Sequence, residues 1–336
     1  MEQYHSLIKN VLEDGNYKPN RTSADTISGF SQFYKIDLSE GFPLLTTKDL
    51  SGFRWNSLIH ELLWYFSGEE HIKNLRDETS IWDAWANEEG ELETAYGRFW
   101  RRYPIPEEND QLDGEAWPNK DHKWVNEEED GRLTFDQIQY VIDQLNENPK
   151  SRRIVVNAWH PSNATVSKLP PCHYSFVFNV QNGKLNLHLT QRSGDIALGI
   201  PFNIAAYSMI TKIIAHQTDL EVGEFAHTIV DAHIYCGEGE RGEWYGENMD
   251  ELQKKIDNAE EKDDYLEIRE WIEQNAPEED NERMDHVPGL LKQISREPRE
   301  RPELDIAEKS IEELEYSDFK LKGYNPHPGI KFSVAE

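Results

Sequence analysis

The feature that most restricts the fold of this chain is a stretch of alternating residues near its centre. On both sides of the sequence Gln181-Asn182-Gly183, large apolar residues alternate with smaller or polar ones. The alternating apolar residues are Tyr174, Phe176, Phe178, Val180, Leu185, Leu187 and Leu189. A period of two on either side of an Asn-Gly turn predicts an antiparallel β-hairpin with one buried face.

Other segments have helical spacing. Apolar residues recur every three to four positions in residues 2–14, 55–67 and 203–216, and we predict a helix in each. Thr134 and Gln137 match a capping box at the start of a further helix, which Pro149 would stop. The run 154–159 is strand-like. Strands and helices therefore mix without a regular βαβ repeat, which favours an α+β fold with a mixed sheet flanked by helices.

The charge is strongly acidic and unevenly distributed. The 336 residues contain 64 acidic and 35 basic side chains, for a net charge of −29. Residues 104–131 and 237–284 together supply 20 of those 29 negative charges. We interpret these segments as two acidic insertions in one domain that spans 1–336. The Pro- and Gly-containing first insertion is predicted to be a long loop, and the second to form one or two amphipathic helices between about 248 and 275.

Composition excludes several classes of protein. A chain that is 37% hydrophobic can bury a core, so global disorder is excluded. The net negative field disfavours a nucleic-acid coat. Two cysteines are too few for a disulfide framework or a four-thiolate zinc site, and we expect no metal. No secretory signal or transmembrane run is evident, so the cytoplasm is the expected compartment.

A candidate nucleophile lies at the start of the hairpin. Cys172 follows Pro170-Pro171, and a thiolate attacks only where nearby positive charge lowers its pKa. Arg192 ends the second strand, so antiparallel pairing would bring its guanidinium close to Cys172. His173 should point to the opposite face. Taken alone, such a cysteine is more typically a buried small hydrophobe, and Arg192 is equally compatible with a surface position.

Further polar and aromatic residues suggest a binding cleft. Arg21 and the pair Arg152-Arg153 are basic positions in an acidic chain, and together with Arg192 they suggest an anionic substrate. His233 and Tyr235 share one strand face, where they would bind a sugar hydroxyl or each other. Trp82 and Trp85 are either core residues or a platform for a flat ligand. Glu61 lies on a helix flank or faces a cleft.

The order of several segments closely resembles that of folate-dependent thymidylate synthases. The segments are Arg21-Thr22, 42–48, His60-Glu61-Leu62-Leu63-Trp64, Ile81-Trp82-Asp83, Tyr96-Gly97, Ser151-Arg152-Arg153, Pro170-Pro171-Cys172-His173, 191–195, 201–205, 231–235 and 323–328. The resemblance covers about 260 residues, nearly the whole chain outside the two insertions. It implies that dUMP and 5,10-methylenetetrahydrofolate are converted to dTMP and dihydrofolate by a homodimer whose sheets pack across the interface.

The resemblance also implies roles for individual residues. Cys172 would attack carbon 6 of uracil, and Arg152 and Arg153 would reach the partner's site. The catalytic set would be Cys172, Glu61, Tyr96, His173, Arg192, Asn203 and Asp195. The dUMP contacts would be Arg21, Arg152, Arg153, Gln191, Arg192, Ser193, Asp195, Asn203, His233 and Tyr235. The folate contacts would be Lys48, Trp82, Trp85, Leu169, Asp195, Gly199, Phe202 and Ala335.

Some positions depart from the pattern of the family. Gly194 stands where a cysteine is frequent, Asp49 follows Lys48 where a base is common, and Glu336 ends a tail that is usually apolar. The second insertion begins directly after Cys236, and His286 resumes the interrupted pattern. Two rivals use the same fold: a pyrimidine nucleotide hydroxymethylase, and a non-catalytic protein that binds nucleotide or RNA. A cysteine hydrolase would lack an oriented His-acid partner for Cys172.

The acidity predicts a salt response. High salt screens repulsion between surface carboxylates, since the Debye length falls to ~3 Å near 1 M salt. We expect the melting temperature to rise with KCl concentration, measured by circular dichroism. A melting temperature that stays flat or falls as KCl increases would contradict adaptation to salt.

Overall fold

The computed structural model describes residues 1–20, 24–92, 95–106, 117–118, 120–165, 167–278 and 283–335. The helices in these ranges are α1 (Glu2–Asp14), α2 (Phe53–Ser67), α3 (Tyr96–Arg101), α4 (Gln137–Glu147), α5 (Gly199–Gln217), α6 (Glu240–Asp257), α7 (Lys262–Asn275) and α8 (Val287–Ile294). The strands are β1 (Asn16–Lys18), β2 (Ala24–Asp37), β3 (Tyr103–Pro104), β4 (Val125–Glu127), β5 (Leu133–Phe135), β6 (Val155–Asn157), β7 (His173–Gln181), β8 (Lys184–Asp195), β9 (Glu221–Glu238), β10 (Glu303–Ile306) and β11 (Phe319–Lys322). Among these described helices, none has the length and apolar character needed to span a bilayer.

A six-stranded sheet organises the molecule. Its strand order is β1-β2-β9-β8-β7-β6, and β8 and β9 are parallel whereas the other neighbours are antiparallel. The parallel pair is connected by α5, which is apolar on nearly all sides and is buried against the sheet. The predicted mixed sheet flanked by helices is therefore confirmed.

The predicted hairpin is also confirmed. Asn182 and Gly183 have φ of 53° and 76°, which is the left-handed pair that a two-residue hairpin turn requires. At the open end, His173 pairs with Gln191 while Ser175 pairs with Thr190, so Tyr174 is an extra residue in a β-bulge. The bulge lies directly beside Cys172.

Two local expectations are wrong. Thr134 does not cap α4: it belongs to β5 and donates to Glu128 at 2.8 Å, whereas the side chain of Asp136 accepts the Gln139 N–H at 3.0 Å. Asp136 is also a good capping residue and directly precedes the helix. The first insertion is not simply a loop, because β4 pairs with β5 and β5 pairs with β3; its residues 107–116 and 119 lie outside the described part of the chain.

The second insertion forms two helices, α6 and α7. The first begins at Glu240, eight residues before the predicted start, and the second ends at the predicted position. Leu252 and Ile256 of α6 and Ile272 of α7 are fully buried in the same hydrophobic cluster as the body of the protein. Cys236 pairs with Asp285 in a β-bridge, so the insertion leaves and rejoins the body at neighbouring points.

Helices α2 and α3 approach each other at Gly97. A Cβ added to Gly97 would lie 2.3 Å from the carbonyl oxygen of Tyr65 and 2.8 Å from its Cα. These are backbone atoms that cannot rotate away, so only glycine fits. The close approach places Tyr96, the preceding residue, between the two helices and the sheet.

We expect Gly97→Ala to lower the free energy of unfolding by about 2 kcal/mol, the usual cost of overpacking, and to reduce turnover by displacing Tyr96. Denaturant titration and a steady-state assay would measure the two effects. Gly329→Ala is the matched control, because an added Cβ meets nothing within 4 Å there. Equal stability of the two variants would show that the helices can separate without cost.

Candidate active site

The hairpin brings Cys172 and Arg192 together, as the antiparallel pairing predicts. The Arg192 N–H donates to the Cys172 carbonyl at 2.9 Å. The Cys172 N–H donates to the hydroxyl oxygen of Tyr96 at 2.7 Å, so both backbone groups of the cysteine are fixed. The thiol is half-buried, with its Sγ 3.9 Å from the carbonyl oxygen of Pro170.

The guanidinium of Arg192 is held by the same Pro-Pro segment. Its Nε donates to the Pro171 carbonyl at 3.0 Å and its Nη2 to the Pro170 carbonyl at 2.6 Å. Burial raises the pKa of the Cys172 thiol, and the charge of Arg192 opposes that rise without cancelling it. The cysteine of the free protein is therefore predominantly a protonated thiol, and Arg192 is the charge that favours its ionisation.

His173 is a neutral ring packed between tyrosines. It stacks on Tyr96 with ring centroids 3.7 Å apart and planes 3° from parallel, and its Nδ1 lies 2.7 Å from the hydroxyl of Tyr207. Burial lowers its pKa to about 3. Tyr207 was not predicted, although it follows Asn203 by four residues and therefore shares that residue's face of α5.

Glu61 lies on α2 and is partly buried. Its Oε1 accepts the indole N–H of Trp82 at 2.7 Å. Burial raises its pKa to about 7, although hydrogen bonds with Tyr65 and Trp82 act in the opposite direction. A carboxyl group with this pKa is present in both protonation states at neutral pH, which suits a group that gives and takes protons.

Gln191 is held by a buried network that crosses the sheet. Its Oε1 lies 3.0 Å from Nε2 of His227, and the Nδ1 of that histidine lies 2.7 Å from the hydroxyl of Tyr34. Burial lowers the pKa of His227 to about 3, so the ring is neutral and connects its two neighbours. Neither His227 nor Tyr34 was predicted; the alternation of His227 with buried Phe225 and Ile229 on β9 was the available signal.

Asp195 is an ionised carboxylate at the end of β8. Its Oδ1 accepts the Ala197 N–H at 2.8 Å and lies 3.8 Å from Nδ1 of His286. Burial acts to raise its pKa, but the interactions with His286, His233 and the Ala197 N–H outweigh burial and keep the pKa below its usual value. Lys48 Nζ donates to the Ala197 carbonyl at 2.5 Å, and burial lowers the pKa of that lysine to about 7.

Strand β9 presents two ring side chains beside the end of β8. His233 pairs in register with Asp195, and its ring centroid lies 5.2 Å from that of Tyr235. Ser193 pairs with Asp231 in the same ladder. Asp195 is therefore the predicted dUMP contact of β8 that lies directly beside one on β9. Gln191, Arg192 and Ser193 precede it on β8, and Gln191 pairs with Ile229.

Partly apolar side chains cover the other predicted ligand region. Trp82 is buried, with its ring centroid 5.6 Å from that of Trp85. Trp85, Leu169 and Phe202 are only partly buried and pack on the main hydrophobic cluster. A Cβ added to Gly199 would meet only Asn203 Oδ1, at 3.9 Å. Partly exposed apolar side chains of this kind can pack against a flat ring system.

Two of the predicted phosphate contacts lie on the surface of the chain. Arg152 and Arg153 are exposed in the turn before β6. The Arg153 carbonyl accepts the Tyr140 hydroxyl at 3.1 Å, which leaves the guanidinium outside this contact. Arg21 lies outside the described residues. Ala335 lies half-buried in the C-terminal segment.

The raised pKa of Glu61 predicts a pH-dependent stability. The protonated form is favoured in the folded protein, so this stabilisation is complete below the unfolded pKa near 4.5 and is lost as pH rises to about 7. Glu61→Gln imitates the protonated form. We therefore expect its free energy of unfolding, relative to wild type, to rise by up to about 3 kcal/mol between pH 4.5 and 7.5.

Denaturant titrations across that pH range would measure the difference. The same substitution at exposed Glu267 is the control and should give a difference that is independent of pH. A pH-independent difference for Glu61→Gln as well would show that the site does not favour the protonated carboxyl.

Comparison with known proteins identifies the family. The family model described as thymidylate synthase matches residues 2–336. A thymidylate synthase of Haloferax volcanii is 64% identical over 332 residues, which cover 98% of this chain and 95% of that protein. Both matches extend over nearly the whole chain. The chain therefore belongs to the thymidylate synthase family.

Proposed function

We propose that this protein methylates dUMP to dTMP with 5,10-methylenetetrahydrofolate, and that Cys172 is its nucleophile. The observation that carries the proposal is the pairing of Cys172 with Arg192 at the open end of the hairpin. Carbon 5 of uracil is a poor nucleophile until a thiolate adds to carbon 6, because the electron pair of the 5,6 double bond then moves to carbon 5. The bound folate supplies the one-carbon unit and the hydride that completes the methyl group.

Arg192 has two functions in the proposal. Its charge favours the thiolate, and a guanidinium also binds phosphate bidentately. Ser193 and Arg21 complete the phosphate site from the same chain. The preformed bonds of Arg192 to the Pro170 and Pro171 carbonyls support these functions, since they hold the guanidinium at a fixed distance from Cys172.

Neutral polar groups recognise the pyrimidine and the sugar of dUMP. The Asn203 amide donates to a uracil oxygen and accepts from the ring N–H, which a carboxylate cannot do. His233 and Tyr235 bind the ribose hydroxyl. Gln191, fixed by His227, lines the same pocket.

Proton transfers are assigned to Glu61, Tyr96 and His173. Glu61 is supported by its pKa of about 7 and by its bond to Trp82. Tyr96 holds the Cys172 N–H and stacks on His173, so it fixes the nucleophile relative to the neutral imidazole. Side chains that are held rigidly and away from water allow the protein to direct each proton transfer.

The folate site is assigned to the cleft beside Asp195. Apolar contact would come from Trp82, Trp85, Leu169 and Phe202, and Gly199 leaves room for the ring. Asp195 would accept from the N–H edge of the pterin, and Lys48 and Ala335 would close the site. The half-buried aromatic faces described above support this assignment.

We propose a homodimer formed through the six-stranded sheet. Phe30 of β2 is 83% exposed and Phe33 is 58% exposed, and Val155 of β6 and Val230 of β9 are exposed as well. Large apolar side chains that cluster on an exposed sheet surface are typical of an interface. Pairing two sheets would also bring the exposed Arg152 and Arg153 toward the partner's phosphate site. We also propose that the chain forms one catalytic domain and acts in the cytoplasm. The single hydrophobic cluster shared by its helices and strands supports one domain.

The function is tested by identifying the products. Purified protein is mixed with dUMP and methylenetetrahydrofolate at low and high KCl, dihydrofolate absorbance is followed, and the nucleotide is identified by mass. We expect dTMP with dihydrofolate from the wild type and none from Cys172→Ser. A hydroxymethyl nucleotide with tetrahydrofolate would instead establish the hydroxymethylase, and dUMP binding without turnover would establish a binding protein.

Subunit mixing tests the shared site. Cys172→Ser and Arg153→Ala should each have low activity as homodimers. After unfolding and refolding together, half of the dimers would be mixed, and each would carry one intact site. We therefore expect recovery of about a quarter of wild-type activity. If the activity of the mixture were no greater than the summed activities of the separately refolded variants, the site would not use the partner's arginine.

A further inference from the structure

The second acidic insertion is joined to the body by a buried ion pair at its base. Arg241, in the first turn of α6, donates from Nε to Asp285 Oδ2 at 2.8 Å, and its Nη2 also lies 2.8 Å from this oxygen. Tyr245 donates to the same Oδ2 at 2.7 Å. Arg241 also donates from Nη1 to the Pro277 carbonyl at 2.8 Å, so one guanidinium holds both ends of the insertion.

The Arg241–Asp285 ion pair fixes the residues that follow the insertion. Asp285 Oδ1 accepts the Val287 N–H at 3.0 Å, which anchors the start of α8. The next residue, His286, donates its backbone N–H to the Tyr235 carbonyl at 2.9 Å. Both Arg241 and Asp285 are buried, and a buried charge that loses its partner must move or change its protonation state.

His286 connects this anchor to the C-terminal segment. It is completely buried, with Nδ1 beside Asp195 and Nε2 2.9 Å from the Ser333 carbonyl. The Ser333 N–H donates to the Arg283 carbonyl at 3.0 Å, so residues 283–286 hold both backbone groups of Ser333. The neighbouring Phe332 packs edge-on against His286 at 4.9 Å between ring centroids.

We propose that Arg241, Tyr245 and Asp285 are positioning residues for folate binding. They hold residues 283–286 in place, and these residues dock the C-terminal segment 332–335 beside Asp195 and Lys48. The insertion therefore acts on the site through the tail, although none of the three residues touches substrate. This inference rests on the proposed function, because it assigns the region around Asp195 to the folate.

Arg241→Met is the primary test. It keeps the aliphatic stem but leaves Asp285 without its cation. We expect the KM for methylenetetrahydrofolate to rise about tenfold, as a small displacement of a binding group predicts. The affinity for dUMP, measured by calorimetry, should change less than about twofold because β8 and β9 are fixed by the sheet. Arg241→Lys keeps the charge and should recover part of the loss.

The matched control is Arg101→Met. Arg101 pairs with Asp136 at 3.0 Å in another largely buried contact, at the start of α4. This variant should lose stability without a change in the folate KM. An equal rise in the folate KM for Arg101→Met and Arg241→Met would overturn the proposal, because general loosening of the fold would then explain both.

A coupling measurement tests whether the effect passes through the tail. Removing residues 333–336 deletes the partner of His286 and Arg283. In this background Arg241→Met should have no further effect on the folate KM. If the two changes raised the folate KM independently, so that their effects multiplied, the proposal would be overturned. The Arg241–Asp285 pair would then act without the tail.

Hydrogen exchange provides a readout that needs no turnover. The Ser333 amide should exchange faster in Arg241→Met than in wild type, and Arg101→Met should leave its rate unchanged. Unchanged exchange in Arg241→Met would overturn the docking mechanism. If wild type produced no dTMP, the proposed function would fail, but this exchange rate would still decide whether the insertion positions the tail.

Discussion

The site depends on one backbone hydrogen bond, from the Arg192 N–H to the Cys172 carbonyl. This hydrogen bond follows from the register of β7 and β8. The turn at Asn182-Gly183, which lies eight residues from the bulge, sets that register. A slip of one residue would turn Arg192 to the opposite face of the sheet. The strongly specified register therefore provides what the proposed chemistry needs, a fixed positive charge near a thiol.

Burial then sets the protonation of the groups around this pair. His173 and His227 stay neutral because their rings are desolvated. His173 packs on Tyr96 and bonds to Tyr207, and His227 connects Tyr34 to Gln191. Glu61 is moved toward neutrality for the same reason. Asp195 stays ionised because two histidines and a backbone N–H compensate its burial. Desolvation thus produces rigid neutral rings and a carboxyl group with a pKa of about 7, whereas local interactions keep Asp195 an anion.

Local patterns predicted the parts of this architecture that have local causes. The hairpin turn, the helix α1 and the end of α2 at Gly68 all follow from periodicity and turn residues that are close in sequence. Thr134 was misassigned because the residue spacing that defines a capping box also occurs where the first residue belongs to a neighbouring strand. The resemblance to a family supplied the identity of the site residues, which periodicity alone left open.

The long-range contacts had no local signal. Arg241 and Asp285 are separated by 44 positions, and Gln191 and His227 by 36, so only the folded chain brings them together. Each pair also joins polar residues that composition alone would assign to a solvated surface. Arg241 is one buried arginine within the acidic segment 237–284, and it binds Asp285 beyond the end of that segment.

The most direct test of this account is the pH dependence of Cys172 alkylation by iodoacetamide, followed by peptide mass so that buried Cys236 is counted separately. We expect Arg192→Met to move the midpoint of the rate profile to higher pH, because the charge that lowers the pKa of the thiol is lost. Arg192→Lys, which keeps the charge, should stay closer to wild type. An Arg192→Met profile that coincides with that of wild type would contradict the claim that the hairpin register places a charge that tunes the nucleophile.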